Sequence, residues 1–348
     1  MAAQCLLEVN ELTIEVRAGD KVYPAVRDLS FRINAGEAVA LVGESGSGKS
    51  LTAQAILGIL PKETTRLASG NVFFGGSRIA GGGTQTPKGL RGTEIAMVFQ
   101  DPVSSLNPLI VVGDQIAEMF REHRGDSRAA ARKATLELME QVGLPDPLER
   151  YKQYPHELSG GLRQRVMIAI ALSLKPRLLI ADEPTTALDV TIQAQLMDLI
   201  LRLKEEYGLA VLLITHDLAL AAEATSKIVV MYAGRAMEIG PLAEVYERPD
   251  HPYTASLLRA VPSDVGGSSD LYPIPGTPPD PAHSVPGCPF HPRCYMATPR
   301  CKTSTPRLEA VLDPDMHAGL ADPSRYSACH YRDAIVPIPI VPGVVSRD

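Results

Sequence analysis

The stretch from Gly43 to Ser50 constrains this chain more than any other feature. It reads G-E-S-G-S-G-K-S, follows the apolar run Val39–Val42 and leads into the helical pattern Leu51–Leu57. Glycines let the backbone wind tightly and turn its N–H groups toward an anion, and a helix N-terminus adds partial positive charge. This strand–loop–helix context predicts a phosphate-binding loop. The structural alternative is a glycine turn that only joins a strand to a helix.

The side chains of this loop indicate a nucleoside triphosphate with Mg²⁺. Lys49 is predicted to reach the β- and γ-phosphates, and the Ser50 hydroxyl is predicted to ligate Mg²⁺. Further contacts with the nucleotide are expected from Gly43, Ser45, Gly46, Ser47, Gly48 and Leu51.

A second segment, Leu178–Glu183, predicts a buried strand that ends in two carboxylates. Asp182 at the strand tip can hold Mg²⁺, directly or through water. Glu183, one residue further, is placed to orient and polarise an attacking water. Such a pair is often only a solvated strand end, but a phosphate loop upstream favours the catalytic interpretation.

The sequence L-S-G-G-L-R-Q at Leu158–Gln164 precedes an apolar helical run, Val166–Leu174. Ser159 is predicted to cap that helix, and the two glycines after it permit a tight entry. Glycines at a free helix N-terminus also form an anion site. Because the chain already has one phosphate loop, this second site is predicted to bind nucleotide held by another subunit.

These motifs, taken in order, resemble the ATPase subunits of ABC importers. Gln100, after the apolar run Ile95–Phe99, matches the glutamine loop of that family. Thr186–Asp189 matches the D-loop, and His216 matches the switch histidine. Each of these residues alone has a structural interpretation, and their joint order favours the family.

The resemblance implies a fold and a mode of assembly. The fold class is α/β, a P-loop NTPase of ABC type with a mostly parallel sheet and a helical subdomain. In that family two ATPase domains sandwich two ATP molecules head to tail. Ser159, Gly160 and Gly161 of one chain would contact the γ-phosphate held by the other, and His216 would bind the γ-phosphate of its own site.

The resemblance also implies further nucleotide contacts. Gln100 would link Mg²⁺ and the attacking water to movement of the helical subdomain, completing a Mg²⁺ set with Ser50 and Asp182. Asp189 belongs to the D-loop at the nucleotide. Tyr23 is the only aromatic residue before Phe31, which makes it the candidate for stacking on adenine.

Proline usage divides the chain near residue 240. Nineteen of the 29 prolines lie from Pro241 onward, and proline does not sustain long helices or central strands. Before that point, short aliphatic runs alternate with helical patterns, which predicts a helix-covered sheet. We therefore expect a nucleotide-binding domain over residues 1–240 and a small Pro- and Cys-rich domain over residues 241–348.

Within the first domain, residues 101–176 predict a helical insertion. Ile110–Arg124 and Arg128–Val142 are predicted helices, with Ser127 as N-cap and Gly143 as C-terminal stop. The glycine-rich stretch Gly75–Gly83 is predicted to be a flexible surface loop.

Two segments narrow the family. The sequence Q-D-P-V-S-S-L-N-P at Gln100–Pro108 and the segment His251–Thr254 resemble oligopeptide and dipeptide importers. Some of these importers use two different ATPase chains, a D-type and an F-type, and Leu162 in the signature makes this sequence more similar to the D-type. The resemblance implies these partners: a second, F-type ATPase, two integral-membrane permease subunits and an extracytoplasmic substrate-binding protein. Nickel and glutathione remain alternative cargoes, because the ATPase never touches its cargo.

Cys288, Cys294, Cys301 and Cys329 are separated by 5, 6 and 27 residues. In a reducing compartment such a set favours a metal site over disulfides. The spacing lacks the C-x-x-C pair typical of structural zinc, and four cysteines also suit a [4Fe–4S] cluster. The resemblance implies that cluster, while zinc and unligated thiols remain open alternatives.

Charge and hydropathy restrict the compartment and the partners. The net charge of −6 argues against a nucleic-acid partner. Apolar runs are far shorter than the ~20 residues needed to cross a bilayer. We expect the chain in the cytosol, held by partners at the cytoplasmic face of the cell membrane. A soluble ABC ATPase acting on DNA or ribosomes is the alternative, but one phosphate loop without sustained heptads argues against it.

Overall fold

A computed structural model describes residues 4–84, 86–186, 188–260, 274–283, 285–311 and 324–335. The chain divides into two compact units, Met1–Thr86 with Leu213–Asp348, and Pro87–Leu212. The boundary predicted near residue 240 is not tested by this division and stays a prediction. Within the described ranges, no helix is both long and apolar enough to cross a membrane.

The helices and strands of the described residues follow one another in mixed order. The strands are β1 (Cys5–Ala18), β2 (Lys21–Asn34), β3 (Ala38–Val42), β4 (Thr65–Phe74), β5 (Ser77–Ala80), β6 (Ile95–Val98), β7 (Leu178–Asp182), β8 (Ala210–Thr215), β9 (Lys227–Tyr232), β10 (Arg235–Pro241), β11 (Glu309–Ala310) and β12 (Tyr326–Ser327). The helices are α1 (Lys49–Leu57), α2 (Pro102–Ser105), α3 (Val112–Arg124), α4 (Arg128–Gln141), α5 (Pro147–Arg150), α6 (Gly160–Leu172), α7 (Val190–Tyr207), α8 (Leu218–Ala224), α9 (Leu242–Glu247), α10 (Pro252–Arg259) and α11 (Pro299–Thr303).

The first unit contains an antiparallel sheet in the order β2-β1-β4-β5. Long strands β1 and β2 are joined by a two-residue turn in which Gly19 has a φ of 60°, a conformation that glycine adopts without strain. Strand β5 pairs with β4 inside the stretch Gly75–Gly83. The prediction of a flexible loop there was wrong, because Gly75 and Gly76, both at positive φ, form the two-residue turn of the β4–β5 hairpin.

The phosphate loop follows a second group of strands in the same unit. Strand β3 is buried along its whole length and pairs in parallel with β9. Strand β9 pairs antiparallel with β10, and β12 pairs with the other edge of β10. A continuous apolar run such as Ala38–Val42 is typical of a strand covered on both faces. The strand predicted directly before the phosphate loop is therefore confirmed.

In the second unit, β6 and β7 form a parallel pair and the predicted helices are present. The Ser127 hydroxyl caps α4 by accepting a hydrogen bond from the Ala130 N–H at 3.3 Å. Gly143 follows the C-cap residue Val142 with a φ of 72°. The N-cap and stop signals read from the sequence are therefore confirmed.

The proline-rich extension packs into the core of the first unit. Phe290 is fully buried and belongs to one apolar cluster with Val42, Val230 and Tyr253. Cys288 and Cys301 belong to the same cluster. The described part of the extension is therefore held by strands of the nucleotide-binding region, and a separate C-terminal domain stays a prediction.

Candidate nucleotide site and cysteine cavity

The phosphate loop joins the end of β3 to the start of α1. Gly43 has a φ of 153°, and a Cβ atom there would lie 2.1 Å from the Met231 carbonyl oxygen. Gly48 has a φ of 101°, and its Cβ would lie 2.8 Å from Val26 and 3.0 Å from the Ala25 carbonyl. Both positions require glycine, so the loop is shaped by tight packing as well as by backbone freedom.

Polar atoms inside the loop are arranged to receive an anion. The buried Lys49 donates from Nζ to the carbonyl oxygens of Gly43 at 2.7 Å and Glu44 at 3.1 Å. The buried Ser47 Oγ has no hydrogen-bond partner among the described residues. The Lys49 ammonium and the unsatisfied Ser47 hydroxyl, in a tightly wound glycine-rich loop, fit the phosphate site predicted from the sequence.

His216 lies near this loop in the first unit. It follows β8 and is exposed, and α8 begins two residues later with Asp217 as its N-cap. His216 lines a cavity of about 300 Å³ together with Gly43, Glu44 and Ser45. The structure thus brings the predicted switch histidine and the phosphate loop to one cavity.

The adenine contact predicted for Tyr23 stays a prediction. Tyr23 lies on β2 opposite Val16. Further along the same strand, Ala25 and Val26 reach Gly48 of the phosphate loop. The strand that carries Tyr23 therefore passes the loop.

In the second unit, Glu183 is held by two donors. Gln100 donates from Nε2 to Glu183 Oε2 at 3.1 Å, and the Thr186 hydroxyl donates to the same oxygen at 3.0 Å. Glu183 has a φ of 44°, in the left-handed region that costs a non-glycine residue free energy. Asp182 ends β7 and is buried. The contact with Thr186 was not predicted, since its D-loop position gave no signal for it.

The juxtaposition of Gln100 and Glu183 follows from strand pairing. Strands β6 and β7 run in parallel with Val98 opposite Ala181. Because both residues follow the carboxyl ends of adjacent parallel strands, their side chains reach the same edge.

The signature segment begins α6 as expected. Ser159 caps the helix by accepting from the Leu162 N–H at 3.4 Å, and both Ser159 and Gly160 are exposed. A Cβ at Gly161 would lie 2.8 Å from Ile192. Asp189 caps α7 through a 2.9 Å hydrogen bond from the Ile192 N–H. The cap predicted at Ser159 is confirmed, and the cap at Asp189 was not predicted. Contact with nucleotide on another subunit stays a prediction.

The four clustered cysteines line one small apolar cavity of about 20 Å³ in the first unit. Backbone N–H groups of Met296 and Tyr331 donate to the sulfurs of Cys294 and Cys329, each at 3.4 Å. All five cysteines of the chain are free thiols. In the described ranges, no group of three or more Cys, His, Asp or Glu is arranged to hold a metal ion. The lining residues that carry sulfur are Cys288, Cys294, Met296, Cys301 and Cys329.

Burial controls the protonation of these thiols. It raises the pKa of Cys288 to about 12 and that of Cys329 to about 11, and it also raises the pKa of Cys294. Neighbouring thiols add to the effect, because thiolates close together repel one another. Without a cation, burial therefore keeps Cys288, Cys294 and Cys329 in the neutral thiol form at pH 7.

Comparison with known proteins decides the family. Residues 26–186 match the ABC transporter model, and residues 237–301 match the oligopeptide/dipeptide transporter C-terminal region. Over 83% of its length, covering 86% of the relative, the chain is 46% identical to the dipeptide transport ATP-binding protein DppD of Bacillus subtilis. The chain belongs to the ATP-binding proteins of peptide ABC transporters. As an ABC ATPase it binds and hydrolyses ATP, for which Mg²⁺ is the expected metal.

Other relatives of this ABC ATPase agree. It is 47% identical to the oligopeptide transport ATP-binding protein OppD of Salmonella typhimurium, over 84% of this chain and 87% of that protein. Among solved structures, an ATP-binding cassette in a dimeric post-hydrolysis state with ADP and Pi matches with a TM-score of 0.60 at 28% identity. That match covers 68% of this chain and 99% of the other. The α/β ABC cassette fold and the family resemblance are thus confirmed.

Proposed function

We propose that this chain energises the import of oligopeptides or dipeptides through a membrane permease at the cytoplasmic face of the cell membrane. The observation that carries the proposal is the match of residues 237–301 to a peptide-transporter region, in a chain that also holds a glycine-shaped phosphate loop. The same match favours peptides over nickel or glutathione as the cargo.

The first unit would supply the phosphate contacts. Lys49 would exchange its bonds to loop carbonyls for bonds to the β- and γ-phosphates, and loop N–H groups would cradle them. The Ser50 hydroxyl would ligate Mg²⁺. His216 would donate to the γ-phosphate, and Tyr23 would stack on adenine.

The second unit would supply the groups for hydrolysis. Glu183 would polarise the attacking water, with Gln100 and Thr186 holding its carboxylate by two hydrogen bonds. Asp182 would hold Mg²⁺, which neutralises phosphate charge when bound. Its buried position at a strand end suits a metal ligand.

The proposal includes a second ATPase subunit. The exposed N-terminus of α6, with Ser159, Gly160 and Gly161, would bind the γ-phosphate held by that subunit. Because Leu162 makes this chain more similar to the D-type ATPase of a heteromeric pair, the second ATPase is proposed to be the F-type chain. Two permease subunits and an extracytoplasmic substrate-binding protein would complete the transporter.

We also propose a [4Fe–4S] cluster at Cys288, Cys294, Cys301 and Cys329. Four sulfurs around one cavity and two N–H···S hydrogen bonds support it, since such bonds stabilise charge on a ligating sulfur. Anaerobic purification followed by iron, acid-labile sulfide and zinc analysis tests the assignment. We expect iron and sulfide. Protein with zinc alone, or without any metal, would refute the cluster.

The transport function is tested by reconstitution in proteoliposomes with the cognate permease, the second ATPase and the binding protein. We expect ATP-dependent accumulation of labelled dipeptide or oligopeptide, abolished by Lys49→Ala. Accumulation of nickel or glutathione without peptide would overturn the cargo. Purification of the chain with nucleic acid rather than with membrane subunits would overturn the transport role.

A further inference from the structure

Arg293 connects the cysteine-bearing loop to the phosphate loop. It lies on a 3-10 turn, His291–Arg293, between Cys288 and Cys294. Its side chain is 6% exposed, and its Nη1 donates to Glu44 Oε2 at 2.7 Å. Glu44 is the second residue of the phosphate loop, so a charged side chain of the extension reaches the ATP-binding segment directly.

The guanidinium of Arg293 is fixed by several other partners. Nη1 also donates to the Tyr232 hydroxyl at 3.2 Å, and Nε donates to the Pro275 carbonyl at 2.9 Å. Nη2 donates to the Ile274 carbonyl at 3.4 Å. A planar fork held on several sides leaves its carboxylate partner little freedom, so the position of Glu44 is set by Arg293.

Glu44 in turn fixes the backbone of the phosphate loop. Its N–H donates to the Tyr253 hydroxyl at 3.1 Å, and its carbonyl accepts from Lys49 Nζ at 3.1 Å. Displacement of the Glu44 side chain would therefore move a peptide unit that Lys49 contacts. It would also free a carboxylate beside the position proposed for the triphosphate, where like charges repel.

We propose that Arg293 is a positioning residue for ATP binding, acting through Glu44. It neutralises the one acidic side chain of the loop Gly43–Ser50 and holds the loop in the shape that receives phosphate. The inference rests on the phosphate-binding role proposed for this loop. It gives the C-terminal extension a direct part in the ATPase site.

The test measures ATP affinity and thermal stability of the full-length chain. We expect Arg293→Gln to raise the Kd for a fluorescent ATP analogue by about tenfold or more, since charge-assisted hydrogen bonds are the stronger ones. The double variant Arg293→Gln/Glu44→Gln should return to within about threefold of wild type, because the freed carboxylate is gone. Tyr295→Ala, an exposed change two residues away, is the control and should leave the Kd unchanged.

The variants separate the possible failures. A residue that only stabilises the fold would lower the melting temperature without a change in Kd, and that result would overturn the proposal. Arg293→Lys keeps the charge without the fork and should give a Kd at least about threefold above wild type, which serves if the glutamine variant does not fold. If Lys49→Ala also binds ATP normally, the phosphate-loop assignment itself fails; if only Arg293 variants bind normally, the positioning role alone fails.

Discussion

Glu183, the proposed general base for ATP hydrolysis, is the residue whose local geometry is most constrained. Its backbone lies at a φ of 44°, and its carboxylate accepts from both Gln100 and Thr186. A left-handed non-glycine residue costs about 1–3 kcal/mol and persists where its surroundings hold it. The two hydrogen bonds therefore fix the orientation of the Glu183 carboxylate on a strained backbone.

We expect Glu183→Gln to reduce ATP turnover by about 100-fold or more, because the amide cannot accept a proton. Its carbonyl oxygen can still accept from Gln100 and Thr186, so ATP affinity should stay within about threefold of wild type. Phosphate release and nucleotide titration measure the two effects. Near-normal turnover would remove Glu183 from the role of general base.

Glu238, on strand β10, is a buried carboxyl group whose pKa is shifted by its surroundings. It is 1% exposed, and burial raises its pKa to about 8, although Arg325 lies 3.8 Å away. A carboxyl group whose pKa is higher in the folded state stabilises the fold fully below its unfolded pKa. That stability is lost as the pH rises toward 8.

We expect Glu238→Gln to raise the melting temperature at pH 8–9 and to have a smaller effect near pH 5. The amide oxygen can keep the 2.7 Å hydrogen bond from the Asp250 N–H without carrying charge. The free-energy difference between the two pH values should be on the order of a few kcal/mol. The half-exposed Glu244, also near Arg325, provides the control Glu244→Gln, and an equal pH response in both variants would contradict the assignment.

At the scale of elements, α3 depends on close packing in the second unit. Its buried residues Val112, Ile116 and Phe120 recur at helical spacing. Gly113 lies between them, where a Cβ would be 2.1 Å from the ring of Tyr151. The Tyr151 hydroxyl donates to Asp114 at 2.7 Å, which keeps the ring against the helix.

Gly113→Ala should therefore destabilise the protein by about 1–3 kcal/mol through overpacking, although alanine favours helix. Chemical denaturation with a probe in the second unit measures this change. Gly89→Ala is the matched control, because nothing lies within 4 Å of its Cβ and its backbone is unstrained. Equal midpoints for the two variants would show that the ring yields.

At the scale of the whole chain, the proline-rich extension completes an apolar core that includes Ala40 and Val42 of strand β3. Phe290 contacts Tyr232 and Tyr253 with ring centroids 5.3 and 5.2 Å apart. Those tyrosines lie on β9 and α10. The extension therefore contributes to the stability of the first unit.

We expect Phe290→Ala to cost about 3–5 kcal/mol of unfolding free energy, the usual range for a fully buried phenylalanine. Tyr295→Ala, which removes a side chain that is 55% exposed, should cost far less. Urea unfolding of the purified chain measures both. Equal losses would contradict the shared core.

The sequence by itself determined features that depend on neighbouring residues. Gly43 and Gly48 indicate the phosphate loop, because only glycine adopts their backbone conformation in such tight surroundings. Ser127 and Ser159 indicate the starts of helices, because a serine side chain at the N-cap accepts a hydrogen bond from the N–H three residues later. The order of these local signals was sufficient for the family and the α/β class.

Only the tertiary structure decided which distant residues meet. Arg293 and Glu44 are 249 positions apart, and Gln100 and Glu183 are 83 apart. Such contacts depend on which strands lie side by side and which loops their ends bring together. Local residue preferences carry no information about that arrangement, since its free energy comes from packing between distant segments.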